Sequence, residues 1–158
     1  MLLPSGFTTN ISKIETYDGE LEEAFPPMSV TMHIQDDFDV SRGDMIVRVN
    51  NMPRQEQDID LMICWFHENP LLERGKYIIR HTTKEARCII REVRYRMDVN
   101  TLHRDANSRE IGMNDIARIS IRSTLPLFVD PYQKNRITGS IILIDEGTNE
   151  TVAAGMVI

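Results

Sequence analysis

Cysteine is scarce in this chain: Cys64 and Cys88 are the only two in 158 residues. Two thiols build no disulfide framework, which excludes the small cross-linked scaffolds of secreted proteins. Both sit in apolar, strand-like runs and read as buried structural thiols, with a cytoplasmic home. Long hydrophobic runs are missing as well. Ile141-Ile142-Leu143-Ile144 is among the longest, far short of the ~20 residues that span a bilayer, so no membrane segment is expected. The N-terminal stretch MLLPSGFTTN has no basic segment and too short an apolar one for a secretory leader. Without that route the sequons Asn10-Ile11-Ser12 and Asn149-Glu150-Thr151 read as chance matches. An excess of basic residues is absent too. The formal net charge is −6, which argues against a general nucleic-acid binder. One basic run stands out, Arg87, Arg91, Arg94 and Arg96, and its simplest reading is a solvated strand face.

Catalytic signatures are lacking. No GxxxxGK[ST] phosphate loop, GxSxG elbow or HExxH occurs. The histidines His33, His67, His81 and His103 are scattered without metal-ligand spacing. Zinc ligation by Cys64, His67 and Cys88 would need a second ligand pair that the spacing does not offer. The acid pairs Glu22-Glu23 and Asp36-Asp37 lie in polar, turn-like stretches and read as solvated loop charges. No catalytic, cofactor-binding or metal-ligating residue is therefore assigned.

What is present is strand alternation, with apolar residues at 41% and charged ones at 27%, enough for a real core. In Asp58–Phe66, Ile59, Leu61, Ile63 and Trp65 share one face, and Met62, Cys64 and Phe66 make the later half apolar on both. In Cys88–Val99, Ile89, Val93, Tyr95, Met97 and Val99 are expected inside, with Glu92, Arg94, Arg96 and Asp98 outside. In Ile116–Ser123, Ala117, Ile119 and Ile121 alternate with Arg118, Ser120 and Arg122. These patterns predict half-buried antiparallel strands. Gly139–Asp145 and Thr151–Ile158 form a hairpin around Glu146–Glu150. Turn signals at Asp18-Gly19, Pro26-Pro27, Asn69-Pro70 and Arg74-Gly75 separate short strands, as in barrels and sandwiches. Asn107–Met113 is the one helical candidate. The polar run Asn50–Gln57 reads as a linker between a strand at Met45–Val49 and one starting at Asp58.

The stretch SRGDMIV, Ser41–Val47, carries an Arg-Gly-Asp triplet of the kind adhesion proteins show to integrins. An adhesion module needs an export route and usually disulfides, and neither is offered. Gly43 and Asp44 suit a tight turn leading into a strand.

Several strings resemble one family when taken together: Leu3-Pro4-Ser5-Gly6, IETYDGE (Ile14–Glu20), SRGDMIV, MDVNTL (Met97–Leu102), YQKNRITGSIILID (Tyr132–Asp145) and the closing TVAAGMVI (Thr151–Ile158). They resemble the C-terminal part of the large, GTP-binding subunit of bacterial sulfate adenylyltransferase, the CysN family, which is similar to elongation factor Tu. The resemblance implies an all-β fold of two consecutive antiparallel β-barrels of the elongation factor Tu domain II and III type. Residues 1–52 would be the C-terminal part of the first, incomplete barrel, and residues 57–158 the complete second one. The GTPase domain, with its phosphate loop, DxxG switch and NKxD motif, has no counterpart here. GTP and magnesium would belong to the full-length subunit and no cofactor to this part.

In the implied enzyme complex, a nucleotidyltransferase, a small catalytic subunit transfers adenylyl from ATP to sulfate. GTP hydrolysis on the large subunit drives that step of sulfate assimilation. The barrels would then be structural and partner-docking elements, meeting the small subunit and the GTPase domain. Arg94, Arg96, Arg118 and Arg122 are the candidate contact residues, although a solvated face explains each singly. Open edges of a truncated first barrel are expected to self-associate, to pack on the second barrel, or to be partly disordered. The alternative is a pair of RNA-binding barrels of a translation-factor-like GTPase, which the acidic balance and the subfamily strings oppose.

Overall fold

Alternation of apolar and charged side chains calls for sheets with one wet face. In the computed structural model, which describes residues 1–158, every regular element is a strand. The chain divides into two compact units, Met1–Met52 and Pro53–Ile158.

The first unit holds β1 (Leu2–Leu3), β2 (Ile11–Thr16), β3 (Gly19–Glu20), β4 (Thr31–Ile34) and β5 (Met45–Ile46). β1 pairs with β5, and β2 lies between β3 and β4, all antiparallel. Neither sheet closes. Regular pairing in the expected Met45–Val49 strand ends at Ile46, followed by a single bridge between Arg48 and Asn51. The Arg-Gly-Asp triplet is a turn. Gly43 takes a φ of 101°, which glycine adopts without a Cβ penalty. The Asp44 amide donates to the Ser41 carbonyl at 3.0 Å, and the Ser41 amide donates to Asp44 Oδ2 at 2.9 Å. The aspartate is thus spent on its own turn. Only Leu2 and Leu3 are buried in this unit, while Phe7, Ile11, Tyr17 and Phe25 are half or more exposed.

The second unit contains β6 (Arg54–Trp65), β7 (Lys76–His81), β8 (Lys84–Met97), β9 (Arg104–Asp105), β10 (Ile116–Val129), β11 (Ser140–Asp145) and β12 (Thr151–Val157). Six of them close an antiparallel barrel in the order β10-β6-β12-β11-β7-β8, with β8 returning to β10, while β9 extends β8. Closure removes the exposed edges that an open sheet would present. Ile59, Leu61, Ile63 and Trp65 from β6, with Ala117, Ile119 and Ile121 from β10, point into the core as the alternation requires. Trp65 meets Tyr77 edge-on at 5.8 Å, and its indole donates to the Asn69 carbonyl at 2.8 Å. The β11–β12 hairpin forms where its pattern predicts.

Three expectations are corrected. β6 starts at Arg54 rather than Asp58, because Arg54, Gln55 and Glu56 pair with Val129, Phe128 and Leu127 beyond an irregularity in β10. The polar stretch is therefore partly strand, and the division between units falls at Met52 and Pro53. Asn107–Met113 forms no helix. The Asp105 carboxylate accepts from the Asn107 and Ser108 amides, and the Ile111 carbonyl accepts from Leu71, so the backbone is tied to partners outside a helix. In β8 the inward residues are Ala86, Cys88, Ile90 and Val93, with Ile89 only half-buried and Val99 exposed. Two β-bulges cause this shift of phase. Opposite β10, Tyr95 and Val93 face consecutive residues Arg118 and Ile119, and Glu92 and Ile90 face Ser120 and Ile121. Arg94 and Arg91 are the extra residues.

Candidate docking surface

β6 exposes Asp58 and Asp60 on its wet face, between the buried Ile59 and Leu61. β10 lies beside it with Arg118, Ser120 and Arg122 facing the same way, and β8 lies beyond β10. A bulge bends its strand and re-aims the extra side chain, and here both extra side chains are arginines that reach across β10. Arg91 Nη1 lies 2.9 Å from Asp58 Oδ1, and Arg122 Nη1 lies 2.8 Å from Asp58 Oδ2. Arg118 Nη2 lies 2.8 Å from Asp60 Oδ2, and Arg94 Nε lies 3.4 Å from Asp60 Oδ1. Each aspartate is gripped from two strands, so four guanidiniums and two carboxylates form a ladder over three strands.

Partial burial would raise the Asp60 carboxyl, but the hydrogen bond from Arg118 and the charge of Arg94 outweigh it and hold the group below its ordinary range. Exposed ion pairs contribute only about 0–1 kcal/mol each. The ladder is therefore a minor source of stability and a strong source of order: it fixes long, flexible side chains in one charge pattern before any partner arrives. Pre-organisation of this kind reduces the entropy cost of association. A cleft of about 670 Å³ adjoins the ladder, lined by Arg54, Glu56, Asp58, Asp60, Arg91 and Arg94 among others.

The four arginines singled out in the sequence divide three to one. Arg94, Arg118 and Arg122 join the ladder, whereas Arg96 turns to Asp105 at 3.9 Å and Asp115 at 3.6 Å. Sequence reasoning did not select Arg91, Asp58 and Asp60 for this surface. Alternation puts both aspartates on a wet face, but nothing local says which strands flank β6.

Cys88 is buried inside the barrel and Cys64 lies on the opposite face of β6 from Ile63 and Trp65. No group of three or more His, Cys, Asp or Glu side chains converges as a metal site. His67 accepts from the Asn69 amide at 3.1 Å and lies 3.5 Å from Glu150, and His33 lies 2.8 Å from Glu15. Glu22, Glu23, Asp36 and Asp37 are exposed. No helix is long and apolar enough to cross a membrane. What the geometry offers is charge recognition.

The chain is similar along its full length to curated proteins. It is 48% identical over 159 aligned residues to the bifunctional enzyme CysN/CysC of Mycobacterium tuberculosis, covering 100% of this chain and 26% of that protein. It is 42% identical over 158 residues to sulfate adenylyltransferase subunit 1 of Bacteroides fragilis, covering 100% of this chain and 33% of that one. The chain thus spans about a quarter to a third of the length of these relatives. Among solved structures, sup35 complexed with GDP superposes with a TM-score of 0.86 at 17% identity, over 100% of this chain and 39% of that one, which is a likeness of fold. Residues 58–158, nearly the whole second unit, match the family model described as GTP-eEF1A C-terminal domain-like. By that match over most of its length, the chain belongs to the GTP-eEF1A C-terminal domain-like family.

Proposed function

We propose that this chain is the barrel portion of the GTP-binding large subunit of a bacterial sulfate adenylyltransferase and that it serves as structure and docking surface. Residues 1–52 are the later half of that subunit's second domain, and residues 57–158 are its third. The observation that carries this reading is the 42% identity along the whole chain to a protein named sulfate adenylyltransferase subunit 1. In the complete subunit, GTP and magnesium are held by a GTPase domain on the N-terminal side of this portion. The small subunit transfers adenylyl from ATP to sulfate, in the cytoplasm. GTPases pass the state of their nucleotide on through loops ordered by the γ-phosphate. A rigid barrel with a pre-set charge pattern suits a surface that is engaged and released in that cycle. The small subunit docks on the face of β6, β10 and β8 that carries Arg91, Arg94, Arg118 and Arg122.

The coding sequence upstream of Met1, beyond the first half of the second domain, tests this assignment. It is expected to encode a phosphate loop, a DxxG switch and an NKxD motif in that order. An upstream region encoding an unrelated domain, or none, would overturn it.

A further inference from the structure

A second cavity, of about 640 Å³, lies where β7, β8 and β10 run side by side and β10 bows away from β6. Its volume falls within the ~300–1,000 Å³ of small-molecule sites. Lys76, Arg87 and Arg122 line it from three adjacent strands, and Glu146 is the one carboxylate in its wall. Three cations against one anion leave a local charge of +2, in a chain whose net charge is −6. The cleft beside the ladder differs. There Arg54, Arg91 and Arg94 face Glu56, Asp58, Asp60 and Glu92, and carboxylates outnumber guanidiniums.

The cations of the second cavity are also less committed. Arg87 spends its Nε on Glu146 at 3.1 Å, which leaves both terminal amino groups, and its side chain is 76% exposed. Arg122 spends Nη1 on Asp58. Lys76 makes no ion pair. Thr124 is exposed at the rim, where the Gln57 side-chain Nε2 donates to its backbone carbonyl at 3.4 Å. Ile89, which the bulge at Arg91 turns out of the core, gives the wall an apolar patch among the cations.

We propose that this cavity binds an organic phosphate monoester, with the phosphoryl group between Lys76 and Arg87 and the organic part on Ile89. A dianion matches the local charge of +2, which a sulfate ester or a carboxylate would leave half-neutralised. A bare inorganic ion would leave Ile89 uncovered. This site stands on geometry alone and does not depend on the sulfate adenylyltransferase assignment.

Titration of the 158-residue chain with phenyl phosphate, phenyl sulfate and inorganic phosphate, followed by backbone amide NMR, tests the proposal. Phenyl phosphate is expected to shift the amides of Lys76, Ile89 and Thr124 saturably and to bind about tenfold tighter than either other probe, the worth of one charge-assisted contact. Lys76→Gln, whose side chain has no ionic partner to lose, is expected to weaken phenyl phosphate about tenfold with an unchanged thermal midpoint. Arg87→Gln serves as a second variant should the first fail to fold. Absence of saturable shifts at these amides, equal binding of the three probes, or undiminished binding by a folded variant would each overturn it.

Discussion

His81 is 2% exposed, and its Nε2 lies 2.8 Å from the Thr138 carbonyl oxygen. A carbonyl only accepts, so Nε2 carries the proton of a neutral ring. Burial pushes the pKa of His81 below its ordinary value, and the Thr138 bond and the Asp130 charge offset only part of that. With the folded pKa lowered, the unfolded chain binds the proton more readily. The contribution of His81 to stability is then complete above the unfolded histidine pKa of about 6.5 and declines as pH falls through the folded value. The thermal midpoint should fall between about pH 7 and about pH 5, and His81→Gln, which keeps a donor for Thr138, should reduce that fall. An equal fall in the variant would show that the ring is not responsible. Nearby, burial would raise the Asp130 carboxyl, but Lys134 Nζ and Thr138 Oγ1, each at 2.9 Å, hold it below the ordinary carboxylate range. Its own contribution to acid sensitivity therefore lies at lower pH than that of His81. Burial takes Cys88 the other way, to about 12, so it remains a protonated, unreactive thiol at neutral pH.

Elements depend on single positions where backbones meet. Gly139 precedes β11, and a Cβ there would stand 2.4 Å from Tyr132 Cα and 2.7 Å from the Asn135 carbonyl oxygen. Both obstacles are backbone, and the same loop is tied down by the Gly139 amide donating to Asn135 and the Val157 amide donating to Gly139, each at 2.8 Å. Gly139→Ala should cost about 2–3 kcal/mol in denaturant unfolding by overpacking. A loss under about 0.5 kcal/mol, the level of an ordinary surface change, would refute the close approach.

The strands themselves were largely legible, because β6 alternates from Asp58 to Trp65 and β10 from Ile116 to Ser123, and the β11–β12 hairpin is two apolar runs around the polar turn Glu146–Glu150. β8 was not. The bulge at Arg91 swaps the roles of Ile89 and Ile90, and a bulge depends on how the partner strand is matched rather than on local pattern. The early part of β6 was hidden likewise, since Arg54–Gln57 is polar and is held in the sheet by the far end of β10. The ladder was half legible. Arginines and aspartates could be placed on wet faces, but their pairing over 33 residues from Asp58 to Arg91, and over 64 from Asp58 to Arg122, follows from barrel closure.

At the scale of the whole molecule, the two units differ in how well they bury themselves. Buried apolar residues crowd the second, whereas the first buries Leu2 and Leu3 and leaves β3 and β4 each unpaired along one side. Unpaired strand edges beside exposed apolar residues favour pairing with another chain. In hydrogen exchange the amides of β6, β10 and β12 should be the slowest, and those of residues 1–50 much faster unless the chain self-associates. A strictly monomeric chain in sedimentation, with the whole of 1–50 protected, would contradict that proposal.

Docking through the arginine ladder is tested most directly by calorimetric titration of the chain with the small subunit of sulfate adenylyltransferase from the same genome. The account predicts saturable one-to-one binding that weakens at least about tenfold when Arg91 and Arg94 are both changed to Glu, with the barrel still folded. No binding by the unaltered chain, or equal binding by the folded double variant, would contradict it.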